Sequence, residues 1–321
     1  MTQAPVYLSK HPLCATDAAT LEALRPKPPT AKHARRGADE REAFDAWMDS
    51  VPSAAGTTFE RDTVGGITGT WVHPPKTRPG QVILYLHGGW FNSASTHAYR
   101  NFVGHIATKA RAHAFIPDYR LAPEDPFPAA VRDVYDCYRS LEKMRIPRVA
   151  IVGDSAGGNL ALVLALLVAE DAYFPKPALV AVAAFSPITD MTLSGSTYTS
   201  RSASDLYLSR SQVAGLVRAY LGPFDARHPM ASPLNARFAG LPSIRIHVGD
   251  DEVLLDDSLR YVERAASAGV DAKLDVWMGM PHGFFGRIGT LEAAEQALQA
   301  TTAFLSEKLL ASNENARRLD A

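Results

Sequence analysis

The chain has 321 residues, 46% of them hydrophobic, and a formal net charge of −1. Such a length buries a large core, and such a composition excludes disordered and fibrous classes. A charge this close to zero gives no electrostatic support for nucleic acid or an anionic membrane as partner.

In chain order, Pro26-Lys27-Pro28-Pro29 interrupts any helix near the N-terminus. Ala38 to Met48 then reads as a short amphipathic helix with Phe44, Trp47 and Met48 on one side. Phe59 to Val64 and Ile67 to Val72 form a hairpin around Gly65-Gly66, residues that allow positive φ at both turn positions. From residue 81 the pattern alternates. Val82 to Leu86 is a continuous apolar run, as expected for a strand buried on both faces. Tyr99 to Ala110 reads as a helix, Ala114 to Ile116 as a strand, Ala129 to Met144 as a helix and Arg148 to Val152 as a strand. A long apolar helix at Gly157 to Ala169 and a strand at Leu179 to Phe185 follow. The last third supplies strands at Ile244 to Val248 and Ala272 to Met278, with helices at Leu255 to Ala268 and Leu291 to Leu310. Eight strands alternating with helices predict a mostly parallel α/β sheet with helices on both faces.

Residues 190–240 break that rhythm, separating two strands by far more than a typical connection, with a helix predicted at Ser211 to Tyr220. This insertion and residues 1–55 are expected to form a helical cap, leaving 56–321 as the catalytic domain. An exposed last strand would let two copies pair as a homodimer. Cys14 and Cys137 lack the spacing of a zinc site or disulfide framework, which fits a reducing compartment. The N-terminus shows no charged leader before an apolar run, and the longest such run, Leu160 to Ala169, is too short to span a bilayer. A cytoplasmic protein is expected.

Three motifs carry chemistry. Gly153-Asp154-Ser155-Ala156-Gly157 joins the strand RVAIV to a long helix. Such a strand–turn–helix setting holds a serine hydroxyl at a helix N-terminus, where developing negative charge is favoured. His87-Gly88-Gly89-Trp90 ends the strand VILYL. Glycine amides there, at Gly88 and Gly89, together with the Ala156 amide, are candidate donors to a carbonyl oxygen that becomes an oxyanion. His282, in MPHGF beyond the last strand, is the candidate general base. Its orienting carboxylate is one of several that follow the strand at 244–248, in the run Asp250-Asp251-Glu252-Val253-Leu254-Leu255-Asp256-Asp257.

These segments resemble the bacterial hormone-sensitive-lipase-like family of α/β hydrolases. The resemblance covers about residues 80–310 and rests on HGGW, DYRLAPE at 118–124, GDSAGGN at 153–159, DEVLLDD at 251–257 and MPHGF. It implies a serine esterase that hydrolyses short-chain carboxylic esters through an acyl-enzyme, with no cofactor and no metal. The family's acid precedes a second acid by four residues, which places it at Glu252, with Asp251 as rival. Trp90 stands where the family's loop has a third glycine, and with Pro187 and Ile188 is expected to line the substrate pocket. Arg120 and Glu124 are expected to pair and brace the glycine loop, and Asp190 to support the site. A lactone, or an acetyl ester or amide of a secondary metabolite, is an alternative substrate. A non-catalytic binding protein is the alternative of another class, because the family includes a plant hormone receptor that has lost the histidine. His282 is present here.

Overall fold

In a computed structural model, residues 7–24, 41–172 and 176–319 are described, the last nine of them as backbone only. The Pro26–Pro29 break and the first three residues of the predicted helix at 38–48 lie outside them.

The strands are β1 (Leu8–His11), β2 (Thr58–Val64), β3 (Ile67–His73), β4 (Gln81–Leu86), β5 (His113–Pro117), β6 (Arg148–Asp154), β7 (Ala178–Phe185), β8 (Ser243–Gly249) and β9 (Ala272–Trp277). They form one sheet in the order β1-β9-β8-β7-β6-β4-β5-β3-β2. All pairs are parallel except β5 with β3 and β3 with β2. The sheet thus has nine strands rather than the predicted eight. The extra one, β1, pairs with β9 from Leu8 opposite Leu274 to His11 opposite Trp277. It covers the edge on which a homodimer was expected. Four residues with a polar middle, Leu8-Ser9-Lys10-His11, carry no strand periodicity to read.

The helices are α1 (Ala15–Leu24), α2 (Arg41–Asp49), α3 (Thr96–Ala110), α4 (Ala129–Ser140), α5 (Ser155–Glu170), α6 (Thr197–Ser200), α7 (Arg210–Leu221), α8 (Leu255–Ser267) and α9 (Glu292–Leu319). Strand alternation divides the core between two layers. Val82, Leu84 and Leu86 of β4 pack with Leu160, Leu162 and Val163 of α5 on one face. Ile83 and Tyr85 pack with Phe102 and Ile106 of α3 and Leu298 of α9 on the other. Because β4, β6, β7, β8 and β9 run parallel, their carboxyl ends lie on one side of the sheet, and those of β4, β6, β8 and β9 carry the three motifs.

Among the described residues, 190–240 contributes no strand to the sheet. Tyr220 of α7 stacks on Phe91 with ring centroids 3.7 Å apart, and the Phe127 N–H donates to the Tyr220 carbonyl. The helix therefore sits beside the chain that leaves the glycine loop. The first segment does the same from the other side. Ser95 caps α3 by accepting from the Ala98 N–H, and its hydroxyl donates to Asp45 of α2. No helix among the described residues is long and apolar enough to cross a membrane.

Candidate active site

Ser155 is the first residue of α5 and has φ +53°, a left-handed conformation that costs a residue with a Cβ. Its flanking glycines make that turn possible. A Cβ at Gly153 would collide with the Gly157 carbonyl, and one at Gly157 with the Leu86 carbonyl of β4. The strained turn holds the Ser155 hydroxyl 3.1 Å from His282 Nε2. His282 Nδ1 lies 2.6 Å from Glu252 Oε2. The three residues come from the ends of β6, β8 and β9 and are all buried.

Glu252, rather than either neighbouring aspartate, makes the contact with His282. Its other oxygen, Oε1, accepts from the Gly249 N–H at 2.6 Å and the Ser186 hydroxyl at 2.7 Å. That leaves Oε2 directed at the imidazole. Asp250 instead accepts from the Gly279 N–H and lies 3.8 Å from Arg201, while the Asp251 N–H donates to the Met280 carbonyl. Ser186, at φ +47°, carries no motif of its own and was not singled out from the sequence. Neither was Asp205, which accepts from the Val253 N–H and so fixes the loop after Glu252.

The glycine loop departs from expectation at one position. The Gly88 N–H donates to Asp154 Oδ1 at 2.9 Å, so it is committed to a carboxylate rather than to a substrate oxygen. Asp154 also accepts from Tyr85 and Tyr99 hydroxyls at 2.8 and 2.9 Å. Burial pushes its carboxyl up to about 6 against the pull of those three donors. Gly89 and Trp90, both at positive φ, line the cavity above Ser155. Ala156 is the second residue of α5, where an amide has no intrahelical acceptor.

Tyr119 of DYRLAPE braces this loop: its hydroxyl donates to the His87 carbonyl at 2.6 Å and its ring stacks on the imidazole. The predicted Arg120–Glu124 pair does not form. Arg120 binds Asp133 with a 2.7 Å contact, and Glu124 pairs with Arg41 at 2.8 Å. Arg41 also donates to the Asn92 and Ala122 carbonyls, so α2 pins the loop from outside. Asp190 is held by Arg260, Thr192 and Ser194, away from the cavity lining.

The cavity over Ser155 has a volume of about 410 Å³. Phe44 and Trp47 of α2, Trp90, Tyr99, Tyr207 and Phe285 contribute aromatic rings to its wall, and Arg287 contributes a guanidinium. Trp90 lies there as expected, whereas Pro187 and Ile188 do not. Ile188 is fully buried in the core, its carbonyl bonded to the Asn159 amide, and the next two backbone N–H groups donate to Asp257 Oδ2. These bonds turn residues 187–190 toward α5 and α8.

Burial raises the Asp257 carboxyl to about 7, against the two amides that favour its ionised form. A folded value above the unfolded one stabilises the protein below the ordinary carboxylate range, and the contribution is lost as pH rises through 7. Asp257→Asn should therefore gain stability relative to the parent between pH 4 and pH 8, on the order of 2–4 kcal/mol. Urea unfolding of both proteins across that range checks this; a difference independent of pH would show that Asp257 is not the titrating group.

Residues 83–286 match the family described as having the α/β hydrolase fold. The chain belongs to this family of α/β hydrolases. It is 35% identical over 277 residues to an acetyl-hydrolase of Streptomyces hygroscopicus, covering 85% of this chain and 91% of the relative. It is 32% identical to an esterase of Acinetobacter venetianus, over 68% of this chain and 72% of that one. The crystal structure of an esterase from the bacterial hormone-sensitive lipase family superposes with a TM-score of 0.84, 34% identity and coverage of 93% and 100%. That of EstE5 soaked with p-nitrophenyl butyrate does so with 0.84, 35%, 92% and 99%. The protein is a carboxylic-ester hydrolase, which removes the binding-protein reading.

Proposed function

We propose that this esterase hydrolyses short-chain carboxylic esters with Ser155 as nucleophile, His282 as general base and Glu252 as the orienting acid. The observation that carries the reading is the buried hydrogen-bonded chain from Ser155 through His282 to Glu252. His282 Nε2 takes the Ser155 proton as the oxygen attacks the ester carbonyl, and Nδ1–H donates to Glu252 Oε2 throughout. The oxyanion accepts from the Gly89 and Ala156 amides. Gly88 has a different part: its bond to Asp154 ties the loop to the nucleophile's own turn. Collapse of the intermediate expels the alcohol, which takes the proton from His282. Water then attacks the acyl-enzyme by the same route.

The α2 segment and residues 190–240 act as a cap. Ala43, Phe44 and Trp47 from the one and Tyr207 from the other close over the cavity. A chamber of about 410 Å³ walled by aromatic rings favours small acyl groups. The unpaired Cys14 and Cys137 favour a reducing, cytoplasmic setting.

Across p-nitrophenyl esters of increasing length, kcat/KM should be highest for acyl chains of about C2–C6 and fall at least about tenfold by C12. Highest efficiency at C12 or beyond would refute the short-chain reading. A lactone hydrolysed faster than every ester in the same panel would replace it with the lactone alternative.

A further inference from the structure

We propose that Arg287 selects substrates carrying a carboxylate apart from the scissile ester. The inference rests on the esterase reading and specifies its substrate class.

Arg287 ends the short 3-10 helix Phe284–Gly286 that follows His282, and it lines the same cavity as Ser155. Among the described residues it is the one arginine or lysine in that lining. Other arginines of the chain are matched by carboxylates or backbone carbonyls: Arg245 pairs with Asp275 at 2.7 Å and Arg260 with Asp190 at 2.9 Å, while Arg78 and Arg148 donate to the Ala110 and Leu309 carbonyls. Arg287 makes no ion pair among the described residues. One terminal nitrogen donates to the Tyr207 hydroxyl, and its Nε is buried with no acceptor among the described residues. Among the described residues, the one carboxylate in the cavity wall is Asp154, whose oxygens are engaged by Tyr85, Tyr99 and Gly88.

A guanidinium presents a planar fork of donors that fits a carboxylate bidentately. Leaving such a donor buried and unmatched is unfavourable, and an anionic ligand removes the mismatch. Tyr207 fixes the fork's orientation, and the rings of Phe44, Trp47 and Phe285 share the cavity lining, an apolar setting that strengthens a charge pair formed there.

The test compares wild type with Arg287→Gln on two matched pairs. 3-Acetoxybenzoate against phenyl acetate places the carboxylate in the alcohol half. Monomethyl adipate against methyl hexanoate places it in the acyl half. The ratio of kcat/KM, charged over neutral, is unaffected by any loss of folded protein. In Arg287→Gln that ratio should fall about 10- to 100-fold for at least one pair, mainly through KM. The pair that responds identifies the half that reaches Arg287. A ratio unchanged within about threefold for both pairs overturns the proposal. Continued turnover of phenyl acetate in that case would leave the esterase reading standing.

Discussion

Ser155→Ala is expected to lower kcat for p-nitrophenyl acetate by a factor on the order of 10⁶ while the protein stays folded. The loss is large because the attacking oxygen and the proton that His282 receives belong to the same hydroxyl. Removing it deletes the acyl-enzyme route, and the remaining amides and cavity supply a residual acceleration of about 10³–10⁴ over water. The fold should tolerate the change. Alanine keeps the Cβ that the turn already accommodates at φ +53°, and the serine hydroxyl's hydrogen-bond partner is His282 rather than the scaffold. Retention of more than a few per cent of wild-type kcat, with unaltered circular dichroism, would remove Ser155 from the nucleophile's role.

The second large effect separates neighbouring acids. Glu252→Gln should cost on the order of 10⁴ in kcat. An amide nitrogen facing the imidazole reverses the tautomer that directs Nε2 at Ser155, and the imidazolium formed in the transition state loses its charge partner. The Gly249 N–H and Ser186 hydroxyl hold Oε1, so glutamine is forced to place its nitrogen toward His282. Asp251→Asn should stay within about tenfold of wild type, because His282 contacts the residue beside it. Steady-state kinetics at saturating substrate checks both. The reverse order would transfer the acid to Asp251.

The same acids show where sequence reading stops. Asp250, Asp251 and Glu252 are consecutive, and alternation indicates only that adjacent side chains diverge. Family spacing selected Glu252; the physical reason lies in the turn, where Gly249 and Ser186 clamp one carboxylate oxygen. The elbow around Ser155 was legible because its glycines answer local sterics, and the central strands because their apolar runs must be buried on both faces. Partners fixed only by tertiary placement were not. Arg120 lies four residues from Glu124 in sequence, yet its guanidinium meets Asp133 on α4, while Glu124 meets Arg41 on α2. Gly88 reads as an oxyanion donor until the elbow turns Asp154 back onto it. Ile188, expected to line the pocket, is buried in the core, where its carbonyl accepts from the Asn159 amide. Arg287 gave no signal, since an arginine five residues after a predicted strand–loop histidine is ordinary until the cavity closes around it.

Intact-protein mass spectrometry after reaction with a fluorophosphonate tests the central claim most directly, because such reagents modify only a serine activated by its neighbours. The account predicts one adduct per chain, mapped by peptide fragmentation to Ser155, with activity lost in proportion, and no adduct in Ser155→Ala. Full inactivation with the adduct on another residue, or an unlabelled enzyme that still hydrolyses esters, would contradict it.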